Sequence, residues 1–428
     1  MRHSLLALAL LSALAACQKA EAPATPTEAT PATTAADTAE ADAKFADLSK
    51  RSLDGWLQLS PISATQIGEH KYDGEIDDLS AAGRQKGLEF SKKMLAELDA
   101  MDVTKLSREN QVDAAILRNQ LQYDIWGSET LQGWAWDPQV YSGLAGSAVY
   151  GLMAREFAPL PQRLGSAITR MEKLPALFAQ ARENLDPARV PQIHAQTAAD
   201  QNKGILSIVD TFITPNLKEL PEAERARAEK ATTALQAAVA EHQEWLDKTL
   251  VPNAKGDFRV GQTLYDQKLQ FALLSSLSRT EIKQRAEDEI KRVREEMYAV
   301  ARTVLKDKPD APEMPDSPTA EQQQKAIEAA LELAYADKPA RDKVVEAAEG
   351  ALASATDFVR EKDLVTLPDS PVKIITMPEF QRGVAVAYAD SPGPLDKGLD
   401  TFYAVSPIPD EWDDKQVDSF LREYNNRM

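Results

Sequence analysis

The chain has 428 residues, 43% of them apolar and 27% charged, and its 49 basic against 67 acidic residues leave a net charge of −18. Such an acidic surface repels phosphate backbones and anionic headgroups, which argues against nucleic-acid binding and against adsorption to a membrane surface. Cys17 is the single cysteine, so no disulfide can form within the chain.

The first residues have the layout of a secretory signal. Met1-Arg2-His3 is a short basic start, and Leu5 to Leu14 is Leu and Ala apart from Ser12. That run falls short of the roughly 20 residues needed to span a bilayer as a helix. It ends in Leu14-Ala15-Ala16-Cys17, which resembles a bacterial lipobox. The expectation is a signal peptide over 1–16, then Cys17 carrying diacylglyceryl and an N-acyl chain such as palmitate. Two or three acyl chains make such anchoring effectively permanent. Gln18 stands where an Asp would resemble an inner-membrane retention signal, so the resemblance points to the outer membrane, facing the periplasm. Residues 17–43 are Ala, Pro, Thr and Glu with almost nothing to bury, which predicts a disordered tether.

From Phe45 to about Arg360 the apolar spacing is helical almost throughout. It predicts helices near 80–101, 107–126, 191–213, 222–249, 319–335 and 338–361. Another runs from Leu164 through Ile168, Met171 and Phe178 to Leu185, with Pro175 as a kink. Ser278-Arg279-Thr280-Glu281 reads as a capping box. The stripe behind it is Ile282, Ala286, Ile290, Val293, Met297, Val300 and Val304. Pro309 to Pro318 is a joint. After Pro368 come three short runs rich in β-branched residues, Val372–Thr376, Val384–Tyr388 and Thr401–Val405, then a last helix opened by Asp413-Asp414. The expected fold is mainly α over residues 44–428, with a small late β-sheet.

Chemistry-bearing constellations are sparse. His70, His194 and His242 lie in the body, and none has a second histidine three to five residues away, so no zinc helix of the H-E-x-x-H kind can be drawn. All three read as surface or capping histidines. Gly143 to Ser147 lacks the spacing of a nucleophile elbow, and Ser370-Pro371-Val372-Lys373 matches S-x-x-K only by letters, since it leads into a strand. Asp73, Glu75, Asp77 and Asp78 lack the alternation of a calcium loop and are expected to favour the positive end of the helix starting near Ser80. Trp134, Trp136 and Tyr141 could line a pocket, with core packing the favoured reading.

Four segments in order resemble the family known as domain of unknown function 885, bacterial proteins, often lipoproteins, that resemble zinc metallopeptidases. They are Pro61 to Gly68 with Tyr72-Asp73 and Asp78-Leu79-Ser80; Arg163 to Leu185; Gly256 to Gly261 with Tyr265 and Leu269; and Asp363 to Pro368 with Pro378, Pro392-Gly393-Pro394 and Phe402-Tyr403. The resemblance implies a zincin-like helical body. It also implies that zinc in full-length relatives is held by an H-E-A-x-P-G-H motif and a downstream Glu. In this chain the helix that should lead into that motif, Asp414 to about Arg427, is followed at once by Met428. The expectation is therefore a C-terminally incomplete scaffold with no catalytic or zinc residue and no cofactor of its own, inactive as a hydrolase. A non-enzymatic periplasmic binding or scaffold lipoprotein is the alternative. If the scaffold is zincin-like, Thr401–Val405 would be a strand able to pair with an extended peptide, with Tyr265 and Tyr403 as candidate cleft residues.

Overall fold

The computed structural model describes residues 35–336 and 338–427. Cys17, the signal peptide and the first part of the expected tether lie outside the described residues.

Helix α1 (Ala35–Leu59) begins inside the stretch expected to be tether. Ala-rich sequence has the best intrinsic helix propensity, and Glu40–Lys44 adds an ion pair one turn apart at 2.7 Å. Tertiary contacts then hold this helix in place. Ala41, Phe45 and Leu48 pack with Met94, Leu98 and Leu121, and Asp42 accepts from the Ser107 amide at 2.9 Å. Next come α2 (Pro61–Gln66), α3 (Ala81–Asp99) and α4 (Arg108–Trp126). Ser80 and Ser107 cap the latter two by accepting from Gly83 and Asn110 amides.

The main core forms where α5 (Gln139–Met153) meets α6 (Leu160–Asn184). Ser142, Ala145, Gly146 and Ala148 on α5 are small enough to admit close packing against Leu164, Ile168, Met171 and Phe178. Pro175 sits inside α6, which stays helical on both sides of it because packing outweighs one lost hydrogen bond. The single helix expected over 191–213 divides into α7 (Gln192–Asn202) and α8 (Gly204–Ile208), followed by wider turns. Helix α9 (Glu222–Trp245), packed along α6, and the short α10 (Val251–Asn253) finish this layer.

Then follow α11 (Gln262–Leu273), α12 (Arg279–Val304), α13 (Ala320–Tyr335) and α14 (Val344–Lys362). The capping box at Ser278 and Glu281 is present in full. Most of the apolar stripe of α12 is not buried. Tyr298, Ala301 and Leu305 face α13, while Ile290, Val293, Met297, Val300 and Val304 are exposed. Periodicity identifies an amphipathic face but not whether anything covers it.

Strands β1 (Val372–Thr376), β2 (Ala387–Asp390) and β3 (Thr401–Val405) form one sheet in the order β1-β3-β2. The middle run is later than its β-branched residues suggest: Gly383 adopts φ 91° and Val384 is exposed, so pairing starts only at Ala387. β3 pairs in parallel with β1 and antiparallel with β2, so both of its edges are occupied. It cannot be the strand that accepts a peptide. Helix α15 (Asp414–Arg427) packs Phe420 and Leu421 with Val344, Ala348 and Val405. The protein is thus mainly α with a small late sheet. Between β1 and β2, buried Phe380 keys the sheet region into the helical core through a notch at Gly146, where a Cβ would lie 2.1 Å from its ring.

Candidate functional site

Arg170, on α6, is fully buried and is the hub from which the site is built. Its guanidinium donates to the carbonyls of Glu75 (2.8 Å), Ala148 (3.0 Å) and Pro61 (3.0 Å) and to Thr65 Oγ1 (2.7 Å). Thr65 in turn donates to Asp73 Oδ1 at 2.6 Å. Burial lowers the Arg170 pKa to about 10, with Asp73, Asp77 and Glu75 opposing the shift, so it is charged at neutral pH.

This hub changes the reading of the acidic loop. Only Asp78 serves the start of α3, accepting from the Ser80 amide at 3.0 Å. Asp77 turns inward and accepts from the Ile62 amide at the start of α2 (3.1 Å). Burial raises its pKa to about 6, despite the Ile62 bond and Arg170. Asp73 holds His70, whose Nδ1 lies 3.0 Å from Asp73 Oδ2 and whose Nε2 lies 3.2 Å from Asp396 Oδ1. The imidazole stacks on Phe157 at 3.6 Å between centroids. Burial pushes its pKa down, but the bonds to the two carboxylates outweigh this and the net shift is upward.

Asp396 belongs to the loop between β2 and β3, which reaches α2 through close backbone contact. The Leu395 amide donates to Ile67 O at 3.0 Å, and a Cβ on Gly393 would lie 2.1 Å from the Ile67 carbonyl carbon. Only glycine allows that approach.

Beside this junction lies a cleft of about 160 Å³ between α2, α5 and the β2 strand, lined by Thr65, Ser147, Tyr150, Arg155, Tyr388 and Asp390 among others. Arg155 stands on the carbonyls of Asp390 (2.6 Å) and Asp400 (3.0 Å), lies 3.1 Å from Asp390 Oδ1 and stacks over Phe402. Tyr150 donates to Asp390 Oδ2 at 3.5 Å, and Tyr388 donates to Gln381. Burial and the Asp390 charge hold the Tyr150 phenol well above its ordinary pKa; burial and the neighbouring Tyr150 do the same for Tyr388. Both stay neutral hydrogen-bond donors. Of the two carboxylates that line the cleft, Asp390 is charge-compensated by Arg155 and Asp396 is bonded to His70, so the cleft suits polar, uncharged ligand groups better than ions.

The histidines are not the surface or capping groups expected. His242 is buried between Phe178 and Trp245, and burial together with Arg182 lowers its pKa to about 4. His194 is partly covered beside Asp137 and Trp136. Among the described residues no group of three or more His, Cys, Asp or Glu is placed to hold a metal ion. Of the aromatic cluster, Tyr141 is buried and donates to Trp134 O at 2.7 Å, and Arg84 covers the Trp134 ring, so packing is its role. Gly143 to Ser147 is a turn of α5, and Lys373 on β1 pairs with Asp400. Tyr265 is exposed on α11, which leans on α4 through Trp126–Gln267, whereas Tyr403 is half-buried in the sheet core; neither lines the cleft.

Three of the four segments noted in the sequence, around Pro61, Arg170 and Gly393, converge here. Tyr150, Arg155, Tyr388 and Asp390 were not singled out in the sequence, because residues some 240 positions apart carry no local signal of their meeting.

The class these features define is a large helical body with a three-stranded sheet keyed to it, the cleft lying at the seam. The model of a bacterial protein family of unknown function, DUF885, matches residues 61–426, and the chain belongs to that family. A Shewanella oneidensis protein described as a lipoprotein of unknown function has a similar structure, with 29% identity and a TM-score of 0.64 over 89% of this chain and 68% of that one. A protein from Colwellia psychrerythraea, also described as a lipoprotein, shares the fold at 15% identity and a TM-score of 0.54, over 91% of this chain and 70% of its own. No curated protein matches the chain. No helix among the described residues is long and apolar enough to cross a membrane.

Proposed function

We propose that the protein is an exported lipoprotein, lipidated on Cys17, held at the outer membrane and facing the periplasm, whose cleft binds an extended peptide. The anchoring half is supported by Leu14-Ala15-Ala16-Cys17 and by the description of both solved relatives as lipoproteins. Labelling cells with an alkyne fatty acid should tag the wild-type chain and leave Cys17→Ser unlabelled and free of the membrane fraction. Equal labelling of both would refute the anchor.

The binding half is carried by the paired neutral phenols of Tyr150 and Tyr388 beside β2. Residues 388–390 of that strand line the cleft, and β2 pairs with β3 on one side. A peptide laid along it would offer main-chain groups to the strand edge, and its carbonyls would take over the phenol hydrogens now given to Asp390 and Gln381. This moves the peptide-accepting role from β3, where the resemblance to zincins had put it, to β2.

Hydrolysis is not expected from the residues of this chain, although the family resemblance to zinc metallopeptidases supplies the class of ligand. With a panel of unstructured peptides, binding should weaken about tenfold in Tyr150→Phe/Tyr388→Phe, the worth of one or two neutral hydrogen bonds. Unchanged affinity would refute the cleft. Stoichiometric zinc with peptide cleavage by the purified chain would refute the non-hydrolytic reading.

A further inference from the structure

His70 ties together two parts of the fold that flank the cleft. It opens the short turn His70–Tyr72 after α2, and its ring reaches Asp396 in the loop between β2 and β3. Ser391, Pro392, Gly393 and Asp396 of that loop line the cleft, as does Phe157, on which the imidazole stacks. The two bonds of the ring set a condition on its charge. Nδ1 faces Asp73 Oδ2 at 3.0 Å and Nε2 faces Asp396 Oδ1 at 3.2 Å. A carboxylate only accepts, and a neutral imidazole has one N–H to give. Both bonds are therefore made by the imidazolium alone, which also gains from the Phe157 face 3.6 Å away. Loss of the proton sets a nitrogen lone pair against a carboxylate oxygen.

The surrounding charges leave that proton to the two carboxylates. The connection between α5 and α6 brings only the Phe157 ring to His70: Arg155 is bonded to Asp390 and Asp400, and Glu156 is exposed. From α6, Arg170 reaches Asp73 by way of Thr65. Glu69 accepts from the Lys71 amide, Lys71 lies over the Tyr72 ring, and Lys397 is exposed. Burial works against the charged ring, but the bonds to Asp73 and Asp396 outweigh it and hold its pKa above the ordinary 6.5. With its side chain a quarter exposed, the ring exchanges its proton with solvent directly. The two bonds differ in firmness. Asp73 is buried and fixed from behind by Thr65 at 2.6 Å, whereas Asp396 rides on a loop that meets the end of α2 through the Leu395–Ile67 backbone bond. When the proton leaves, the loop is the side that gives way.

We propose that His70 is a pH-operated clamp: protonated, it holds the 391–396 wall of the cleft against the end of α2, and deprotonated it releases that wall. A free imidazole titrates at 6.5 and the clamped one higher, so the clamp is at full strength below 6.5 and is lost as pH rises through the higher value. That the released wall changes the hold on a peptide rests on the binding reading above; the clamp itself does not.

Amide hydrogen exchange of the intact chain, corrected for the intrinsic effect of pH on exchange, reads the wall without any ligand. Between about pH 6 and about pH 9, protection of the segment containing Leu395 and Asp396 should fall about tenfold, the worth of one charge-assisted hydrogen bond. Core amides of α6 should keep theirs. Asp396→Asn should remove the step, because an amide accepts from the imidazolium and donates to the neutral ring. It leaves the Asp73–Thr65–Arg170 bonds in place, so the variant folds. His70→Gln, whose side chain does not titrate, should remove the step as well. Equal protection of the wall at both pH values in wild type, or a step that survives in Asp396→Asn, would overturn the clamp. A step that disappears in Asp396→Asn, in a chain that binds no peptide of the panel at either pH, would uphold the clamp and refute the binding reading instead.

Discussion

Methionine in place of Arg170 is expected to lower the unfolding free energy by about 3–5 kcal/mol, the usual cost of removing one partner from a buried, hydrogen-bonded charge cluster. The substitution keeps much of the apolar stem but leaves the carbonyls of Pro61, Glu75 and Ala148 short of a donor, and takes the positive charge from beside Asp73 and Asp77. Each unmet buried group carries its own desolvation penalty. The comparison that gives the number meaning is Arg227→Met. Arg227 forms a 2.6 Å ion pair with Glu172, but both side chains are more than a third exposed. Solvent screening limits such a pair to under about 1 kcal/mol. Equilibrium denaturation of the two variants should therefore separate widely. Similar losses in both would show that the Arg170 cluster is no keystone.

Two groups, the buried His242 and the half-buried Asp77, give the second large effect, and they oppose each other. His242 has its folded pKa lowered from 6.5 to about 4. Below pH 6.5 the unfolded chain takes up a proton that the folded chain refuses, so stability is full above 6.5 and declines as pH falls towards 4. Asp77 has its folded pKa raised from 3.8 to about 6. The folded chain keeps a proton that the unfolded chain releases, so stability is full below 3.8 and declines as pH rises to 6. Each amounts to about 3 kcal/mol by linkage, and across pH 4–6 they nearly cancel.

Single substitutions should expose the hidden slopes. Relative to wild type, His242→Phe should lose stability as pH rises from 4 to 6.5, because the histidine's compensating gain is gone. Asp77→Asn, which retains an acceptor for the Ile62 amide, should gain stability over pH 4–6. Denaturation midpoints measured at half-unit pH steps would show it. Profiles parallel to wild type in both variants would refute the assignment of these two groups.

The same residues show where sequence reading stops. Asp77 looked like one more charge before a helix, and His242 like a polar face on α9. Burial, which sets both pKa values, depends on which elements pack over them. The Pro61 and Arg163–Leu185 segments were visible as separate signatures, but their meeting at Arg170 was not. A guanidinium that satisfies carbonyls 22 to 109 residues away leaves no periodic trace.

What the sequence determined by itself is mostly local. Helix caps at Ser80, Ser107 and Ser278, the spans of α3, α4, α12 and α13, and two of the three strands follow from hydrogen-bonding side chains and apolar period, which act within a few residues. The resemblance of Leu14-Ala15-Ala16-Cys17 to a lipobox is likewise a local pattern. Tertiary structure alone decided the rest. It extended α1 back to Ala35, because contacts with α3 and α4 offset the entropy of ordering that stretch. It set β3 in the middle of the sheet, because strand order depends on partners rather than on composition. It brought Tyr150 and Tyr388 together across the seam, and it left the α12 stripe in water. An apolar face states only that burial would be favourable; whether burial occurs is settled by the neighbours the fold provides.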